Sequence, residues 1–341
     1  MSTPKPRPSI QDVARLAGVS LGTVSNVLNS PDRVKPVTAE KVQRAIEQLG
    51  FVRNDAARQL KAGKSKTVGV VVFDAGNPFF AELARGAEDA AADKSYSVLL
   101  GNSDHKYERE RQYLQLFDEQ RMAGVLVSPT NDIYEQIAEL RSRGTQTVVV
   151  DRKADPDRCC SVSVDDFAGG RVAVEHLLAM GWRKIGFVGG PVTIQQVADR
   201  LAGAMAAVKA FGQGATLTVI ESENMSVIAG RNVGQSLVET DPQNRPDALF
   251  ASNDLLALGI VQAFMFQSKV RIPEDIALIG YDDIDFAEAA VVPLSSIRQP
   301  ARLIGQTAID LVLDEIANPA GHKHQQVTFQ PELIVRASTR A

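Results

Sequence analysis

The sequence predicts two unlike parts: a small all-α head carrying a helix-turn-helix, then, past a short linker helix, an α/β body built on two parallel sheets. Three observations predict this. The charge is polarised, the first fifty residues hold three short capped helical patterns around one glycine turn, and the remainder alternates apolar strands with helices in two successive series.

At 341 residues the chain exceeds one ordinary core, and about 150 residues per domain suggests two or more. Hydrophobic residues make up 44% and charged residues 23%, as in a folded soluble protein. No apolar run reaches the length of a membrane span, and MSTPKPRPSI has no signal-peptide core, so the expected location is the cytoplasm. Through residue 66 there are 12 Lys and Arg against 5 Asp and Glu, a net of +7, which leaves −11 for the rest of a chain whose total is −4. A basic head on an acidic body points to an anionic partner for the head.

In the head, Ser9 and Asp12 have capping-box spacing, Ile10, Val13, Ala14, Leu16 and Ala17 form an apolar stripe, and Gly18 supplies a stop. After the Gly18-Val19 turn, Ser20 is placed to cap a second helix to about Leu28. Thr38 is placed to cap a third, with Val42, Ala45, Ile46 and Leu49 as its stripe. Two short helices about a tight glycine turn make a helix-turn-helix, whose second helix can enter a DNA major groove. Leu21, Val24, Val27 and Leu28 give that second helix its apolar rhythm, and its outward face carries Gly22, Ser25 and Asn26. The linker RNDAARQLKAGKSK starts with a good cap, Asn54, followed by helix formers up to Gly63; a helix this short is marginal unless something packs on it. AGKS lacks the earlier glycine of a phosphate loop, because position 58 is Arg58.

From Thr67 the first series runs TVGVVVF, FFAELARGAEDAAAD, SVLLGNSD, ERERQYLQLFDEQ, AGVLVSP, DIYEQIAELRS and TVVVDR. The second runs VAVEHLLAM, KIGFVGG, QVADRLAGAMAAVKAF, LTVIESE, AGRNVGQSLVE, DALFASN, LLALGIVQAF and IALIGYDD. GFVGGP does not have the glycine spacing of a dinucleotide fingerprint, and Gly234-Gln235-Ser236-Leu237-Val238 lacks the second glycine of a hydrolase elbow. The neighbouring pairs Asp165-Asp166 and Asp282-Asp283 read as solvated turns. Cys159 and Cys160 are adjacent, unsuited to a disulfide framework or a CxxC pair, and His322 with His324 has no third metal ligand in sequence and reads as a solvated loop. No catalytic set emerges, and neither an enzyme, a cofactor nor a metal is expected. Open α/β sheets bind ligands beyond their strand ends, which makes the polar residues there the candidates.

VARLAGVSxxTVSxVLN, a third helix and then GFxRNDAARQLKAGKSKTVGVVV strongly resemble the DNA-binding head and hinge of the lactose-repressor (LacI/GalR) family of bacterial transcription regulators, and the resemblance continues through the chain. It implies a DNA-binding domain over 1–52, a hinge helix and linker over 53–66, and a periplasmic-binding-protein-like (type I) effector domain over 67–341. With three crossings between lobes, lobe one is expected at about 67–164 plus 294–324, and lobe two at about 165–293 plus 325–341. By resemblance Leu21, Gly22 and Asn26 occupy the base-reading positions, with Ser20, Thr23 and Ser25 helping to fix the phosphates. Gly22 offers no side chain, whereas Asn26 can bond adenine bidentately and Leu21 can meet a thymine methyl. In the hinge, Leu60 matches the residue that two copies insert into the minor groove, with Asn54, Ala57 and Arg58 beside it.

For the effector, matching positions are Asn77, Phe79, Ser128 and Asp151 in the first lobe, Arg200, Asn253 and Asp282 in the second, and Gln299 in a crossover. Met225 stands where relatives often place a ring, a departure that disfavours a flat aromatic base. Phe79 and Asn77-Pro78 also have plain structural roles open to them, in core packing and in starting a helix. The resemblance implies a homodimer on a near-palindromic operator, released from double-stranded DNA by a sugar or sugar derivative. The alternatives are a repressor that needs a purine-like corepressor, and a binding protein of the same fold without DNA function. HQQVTFQPELIVRASTR reads as one final strand and a tail, with no leucine heptad to pair dimers into tetramers.

Overall fold

The computed structural model describes residues 8–51, 65–212, 214–267 and 270–340. The chain forms two compact units that divide between residues 64 and 65. Asn54, Ala57, Arg58 and Leu60, and with them the expected hinge helix, lie outside the described residues.

The head unit contains α1 (Ile10–Ala17), α2 (Leu21–Asn29) and α3 (Pro36–Leu49). The capping box at Ser9 is formed: Asp12 accepts the Ser9 backbone N–H at 2.9 Å and its own N–H donates to Ser9 Oγ at 3.3 Å. Gly18 ends α1 in the left-handed region at φ 65°, which favours glycine, and Ser20 accepts the Thr23 N–H at 3.1 Å to start α2. Val13, Ala14, Val24, Val27, Val42 and Ala45 form the core, while Leu16 of the expected stripe is 45% exposed. The third helix does not start at Thr38. Pro36 opens it, since its fixed φ suits a first turn that has no use for an N–H, and Lys35 precedes it without a side-chain cap.

The second unit holds two six-stranded sheets. In the first, β1 (Thr67–Val72), β2 (Ser97–Asn102), β3 (Gly124–Val127), β4 (Gln146–Val150) and β5 (Cys160–Val164) are joined by β11 (Gln326–Phe329) in the order β11-β5-β4-β3-β1-β2, all parallel. In the second, β6 (Lys184–Gly189), β7 (Thr216–Glu221), β8 (Ala248–Ala251), β9 (Ala277–Asp282) and β10 (Ser295–Arg298) are joined by β12 (Glu332–Ile334) in the order β12-β10-β9-β8-β6-β7. This sheet is mixed rather than wholly parallel, because β12 runs antiparallel to β10.

Two expected lobe boundaries are therefore corrected by one strand each. Residues 295–298 belong to the second lobe and residues 326–329 to the first, so the later crossings follow β10 and β11. The C-terminal stretch is likewise two strands in different sheets, not one. SSIR and CSVSV go unread as strands because each is only four or five residues long and rich in serine, and QVTF merges with ELI into one expected strand because only their different partners separate them. The serines of β10 are satisfied internally: Ser295 Oγ meets Thr339 Oγ1 at 2.7 Å, and Ser296 Oγ donates to Asp254 at 2.7 Å.

The covering helices include α4 (Pro78–Asp93), α5 (Tyr107–Glu119) and α6 (Tyr134–Ser142) on the first sheet, and α7 (Asp166–Ala179), α8 (Gln195–Phe211), α9 (Val227–Glu239) and α10 (Asp254–Gln267) on the second. After the one-turn α11 (Asp285–Glu288), α12 (Ala301–Ala317) returns to pack on α4 and the first sheet. Three helix pairs share one device. A Cβ at Gly86 or Gly305 would run into the facing carbonyl oxygen of Arg302 or Leu83, and Gly170 with Gly203 and Gly230 with Gly259 do the same for α7·α8 and α9·α10. No described helix is long and apolar enough to cross a membrane. Gly305→Ala is expected to destabilise the second unit by about 1–3 kcal/mol through overpacking, read as a lower denaturant midpoint; an unchanged midpoint would contradict this packing.

Candidate functional site

Two places gather the predicted side chains, one in each unit. On α2, Val24 and Val27 point into the head core, and Leu21, Gly22 and Asn26 are exposed, Leu21 by 47%. Ser20 Oγ and Thr23 Oγ1 lie 2.9 Å apart at the start of the helix, and Ser25 is held through Asn29, whose Nδ2 donates to the Ser25 carbonyl at 2.7 Å. The turn and the cap thus present one polar face with no acidic group on it, suited to a groove lined by base edges and phosphates.

In the second unit the candidates converge where the strands of both lobes end. Asn77 caps α4 by accepting the Phe79 N–H at 3.0 Å, and its Nδ2 reaches across to donate to Asp282 at 2.9 Å. The capping role and the cleft role therefore belong to the same residue. Gln299 donates to the other Asp282 oxygen at 2.8 Å, while its own Oε1 is buried with no partner among the described residues. Gln196, at the start of α8, donates to the Asp151 carboxyl at 2.7 Å from the opposite lobe. Ser128 stands 3.5 Å from the same carboxyl. Asn253 caps α10 through the Leu256 N–H at 2.9 Å and donates to the Met225 carbonyl at 3.0 Å.

Arg200 is buried beneath these groups. Its Nε donates to Asp166 at 2.7 Å, one terminal nitrogen donates to the Ser252 carbonyl at 2.7 Å, and its guanidinium lies 3.7 Å from the Tyr281 ring centroid. The cavity left between the lobes is about 30 Å³, lined on one side by Phe73, Phe79 and Phe80 and on the other by Met225 and Ile194. That volume admits a water or two, whereas ligand pockets run to roughly 300–1,000 Å³. Anything larger would have to take the place of the cross-cleft hydrogen bonds.

Sequence reading finds nine of these side chains but misreads the carboxylate pairs. Asp166 and Asp282 are not solvated: each is buried, and each has a neighbour with a separate task. Asp165 caps α7 through the Ala168 N–H at 3.0 Å, and Asp283 pairs outward with Arg298 at 2.7 Å and Arg336 at 2.6 Å. The turn at Asp282 and Asp283 has φ of 106° and 56°, and Asp151 has φ of 64°, conformations that L residues adopt only when their surroundings hold them. Gln196, Asp166 and Tyr281 go unrecognised in the sequence, and nothing local marks them: their role depends on which strand ends the fold brings together.

Burial raises the carboxyls. It pushes Asp151 up to about 8, helped by Asp166 and opposed by Arg200, and it raises Asp166 and Asp282 against the pull of the same guanidinium. At neutral pH Asp151 thus holds a proton and can donate as well as accept.

Comparison with known proteins identifies both units. The profile of bacterial regulatory proteins of the lacI family matches residues 9–54, and that of the periplasmic binding protein-like domain matches 174–339. The HTH-type transcriptional repressor PurR of Photobacterium profundum is 34% identical over 339 residues, covering 97% of this chain and 98% of its own. The chain belongs to the lacI family. Among solved structures, the Lac repressor dimer bound to operator and the anti-inducer ONPF superposes with a TM-score of 0.82 at 25% identity, covering 98% of this chain and all of that one. The transcriptional regulator CelR in complex with cellobiose gives 0.70 at 29%, covering 97% and 100%. This lacI-family chain is accordingly a DNA-binding transcriptional regulator with a type I effector domain.

The raised Asp151 has a consequence for this regulator's stability. An acid whose folded value lies above its unfolded one binds the extra proton when folded, so its contribution is fully present below about 4 and is lost as pH rises to about 8. Asp151→Asn should flatten that part of the unfolding midpoint's pH dependence, and a difference between wild type and variant that does not change between pH 4 and 8 would sink the assignment.

Proposed function

We propose that the chain is a homodimeric repressor whose affinity for a near-palindromic operator is lowered by a sugar or sugar derivative bound between the lobes. The observation that carries this reading is the pair of hydrogen bonds that join the lobes directly, Asn77 to Asp282 and Gln196 to Asp151. Each joins groups that donate and accept in neighbouring positions, which is what vicinal hydroxyls need, and Gln299 Oε1 adds an acceptor with no described partner. Phe79 on one wall can face the C–H side of a sugar ring, while Met225 opposite leaves no second ring to sandwich a flat base. The CelR–cellobiose complex, on a related chain, fits this choice.

The mechanism is one of linkage. A ligand that exchanges the cross-cleft bonds for its own changes the relation of the lobes, and through the dimer the geometry offered to the operator. Coupling must be reciprocal, so operator binding weakens effector binding by the same factor, with typical values of about 1–3 kcal/mol. On the head, Ser20, Thr23 and Ser25 would hold phosphates and Leu21 and Asn26 would read bases, with Leu60, Ala57, Arg58 and Asn54 acting at the minor groove. A purine-like corepressor is the second reading, favoured by the repressor name PurR of the curated relatives and by three phenylalanines on one wall of the cavity.

The experiment is operator binding at fixed salt, because phosphate contacts make affinity salt-dependent, across a panel of sugars, sugar phosphates and purines. Release by one sugar supports the inducer reading; DNA binding that requires a purine replaces it with the corepressor reading. On the DNA side, Asn26→Ala should lose about 1–3 kcal/mol of discrimination at one base pair of each half-site, and an unaltered selected site would remove Asn26 from base reading.

A further inference from the structure

The fold gives His322 and His324 the third ligand that the sequence lacked. Cys160, at the start of β5, brings its Sγ within 3.1 Å of His322 Nε2 and 3.8 Å of His324 Nδ1, and the three ligand atoms lie within 4.8 Å of one another. This overturns the reading of the histidine pair as a solvated loop, since the His322 side chain is only 2% exposed. A tetrahedral zinc ion with bonds of about 2.3 Å to sulfur and 2.0–2.1 Å to nitrogen holds S and N about 3.6 Å apart. The two observed separations straddle that distance.

We propose that Cys160, His322 and His324 form a binding site for a thiolate- and imidazole-seeking divalent ion of the zinc type. The surroundings supply what such a site requires. Asp314 Oδ2 accepts from His322 Nδ1 at 2.6 Å, which turns the Nε2 lone pair toward the sulfur; a carboxylate behind a ligating imidazole is the common outer arrangement of zinc sites. The Gln325 backbone N–H donates to Sγ at 3.3 Å, a contact that a thiolate would strengthen. Glu315, 2% exposed, has Oε2 buried with no partner among the described residues. Arg141 pairs with Oε1 of the same carboxylate at 2.8 Å and stands 3.0 Å from His324 Nε2.

Uptake of the ion displaces the thiol proton to solvent. For His324 to bind through Nδ1, Nε2 must carry hydrogen, so Arg141 turns away from it, and the unused oxygen of Glu315 is the acceptor available to either group. The Cys160, His322 and Asp314 alignment also has the order of a nucleophile, base and orienter. Cys160 is fully buried, however, which denies a substrate access to its sulfur. The ion would fasten β11 to β5 where their pairing begins, one residue before Ser161 meets Gln326. The far ends of these same two strands lead into two of the three crossings between lobes.

The test uses tag-free full-length protein, kept reduced by a phosphine and titrated with Zn²⁺ against a chromophoric chelator. One zinc per chain is expected, and Co²⁺ in its place should give a thiolate charge-transfer band. Cys160→Ser and His324→Gln should each weaken binding by more than the roughly 10- to 100-fold expected of Asp314→Asn, an outer partner. His324 is only half-buried, so its variant decides the matter if Cys160→Ser does not fold. No stoichiometric binding, no sulfur band with cobalt, or an affinity unchanged in His324→Gln would each overturn the site.

Discussion

The buried ion pair between Arg200 and Asp166 is the contact on which the cleft depends. One guanidinium ties together α8, which carries it, α7 through Asp166, the end of β8 through the Ser252 carbonyl, and β9 through the Tyr281 ring. Taking both charges from water is costly, and removing either partner would leave a buried charge uncompensated, at about 3–5 kcal/mol. Close approach of the backbones makes the arrangement possible. A Cβ at Gly170 would meet the Arg200 carbonyl oxygen, and one at Gly169 would meet the Tyr281 ring.

Around that charge the two lobes meet through side chains rather than through apolar contact alone. Asp151 and Asp282 are the receiving ends of the cross-lobe bonds, and both sit in positive-φ turns at the ends of their strands. Such strain persists only where neighbours over-determine the backbone. At Asp282 the neighbours are visible: Asp283 is anchored outward by Arg298 and Arg336, so the turn directs one carboxyl into the cleft and the other away from it. A polar junction of this kind exchanges partners more readily than a packed apolar one, because a ligand's hydroxyls can replace each bond in kind. This is the physical argument behind the proposal of a regulatory ligand there.

Stability and response are separated in the body. The glycine-paired helices and the apolar sheets build each lobe, and the lobes are joined by the three crossings, by the cleft bonds and by Ile194 and Met225 of the second lobe, which pack against the core of the first. The Cys160 cluster lies within the first lobe, beside the strands that feed two of those crossings, so its effect falls on the foundation of the hinge rather than on the cleft.

How much was legible follows from what each signal needs. The capping box at Ser9, the Gly18 turn, the basic head and the alternating apolar runs are local patterns, and they determined the helix-turn-helix and the two-sheet body, whereas the cleft side chains came from the resemblance to the family. The start of α3 at Pro36 was local too, but the competing signal at Thr38 obscured it. Beyond the sequence's reach was every feature that joins distant segments. Polar strands such as β10 and β11 show themselves only by their partners. Asp166 is distinguished from Asp165 only by the presence of Arg200, and Cys160 meets His322 across more than 160 residues. Burial and pairing across such separations are properties of the folded chain, because the energy that selects them arises only when the strands have met.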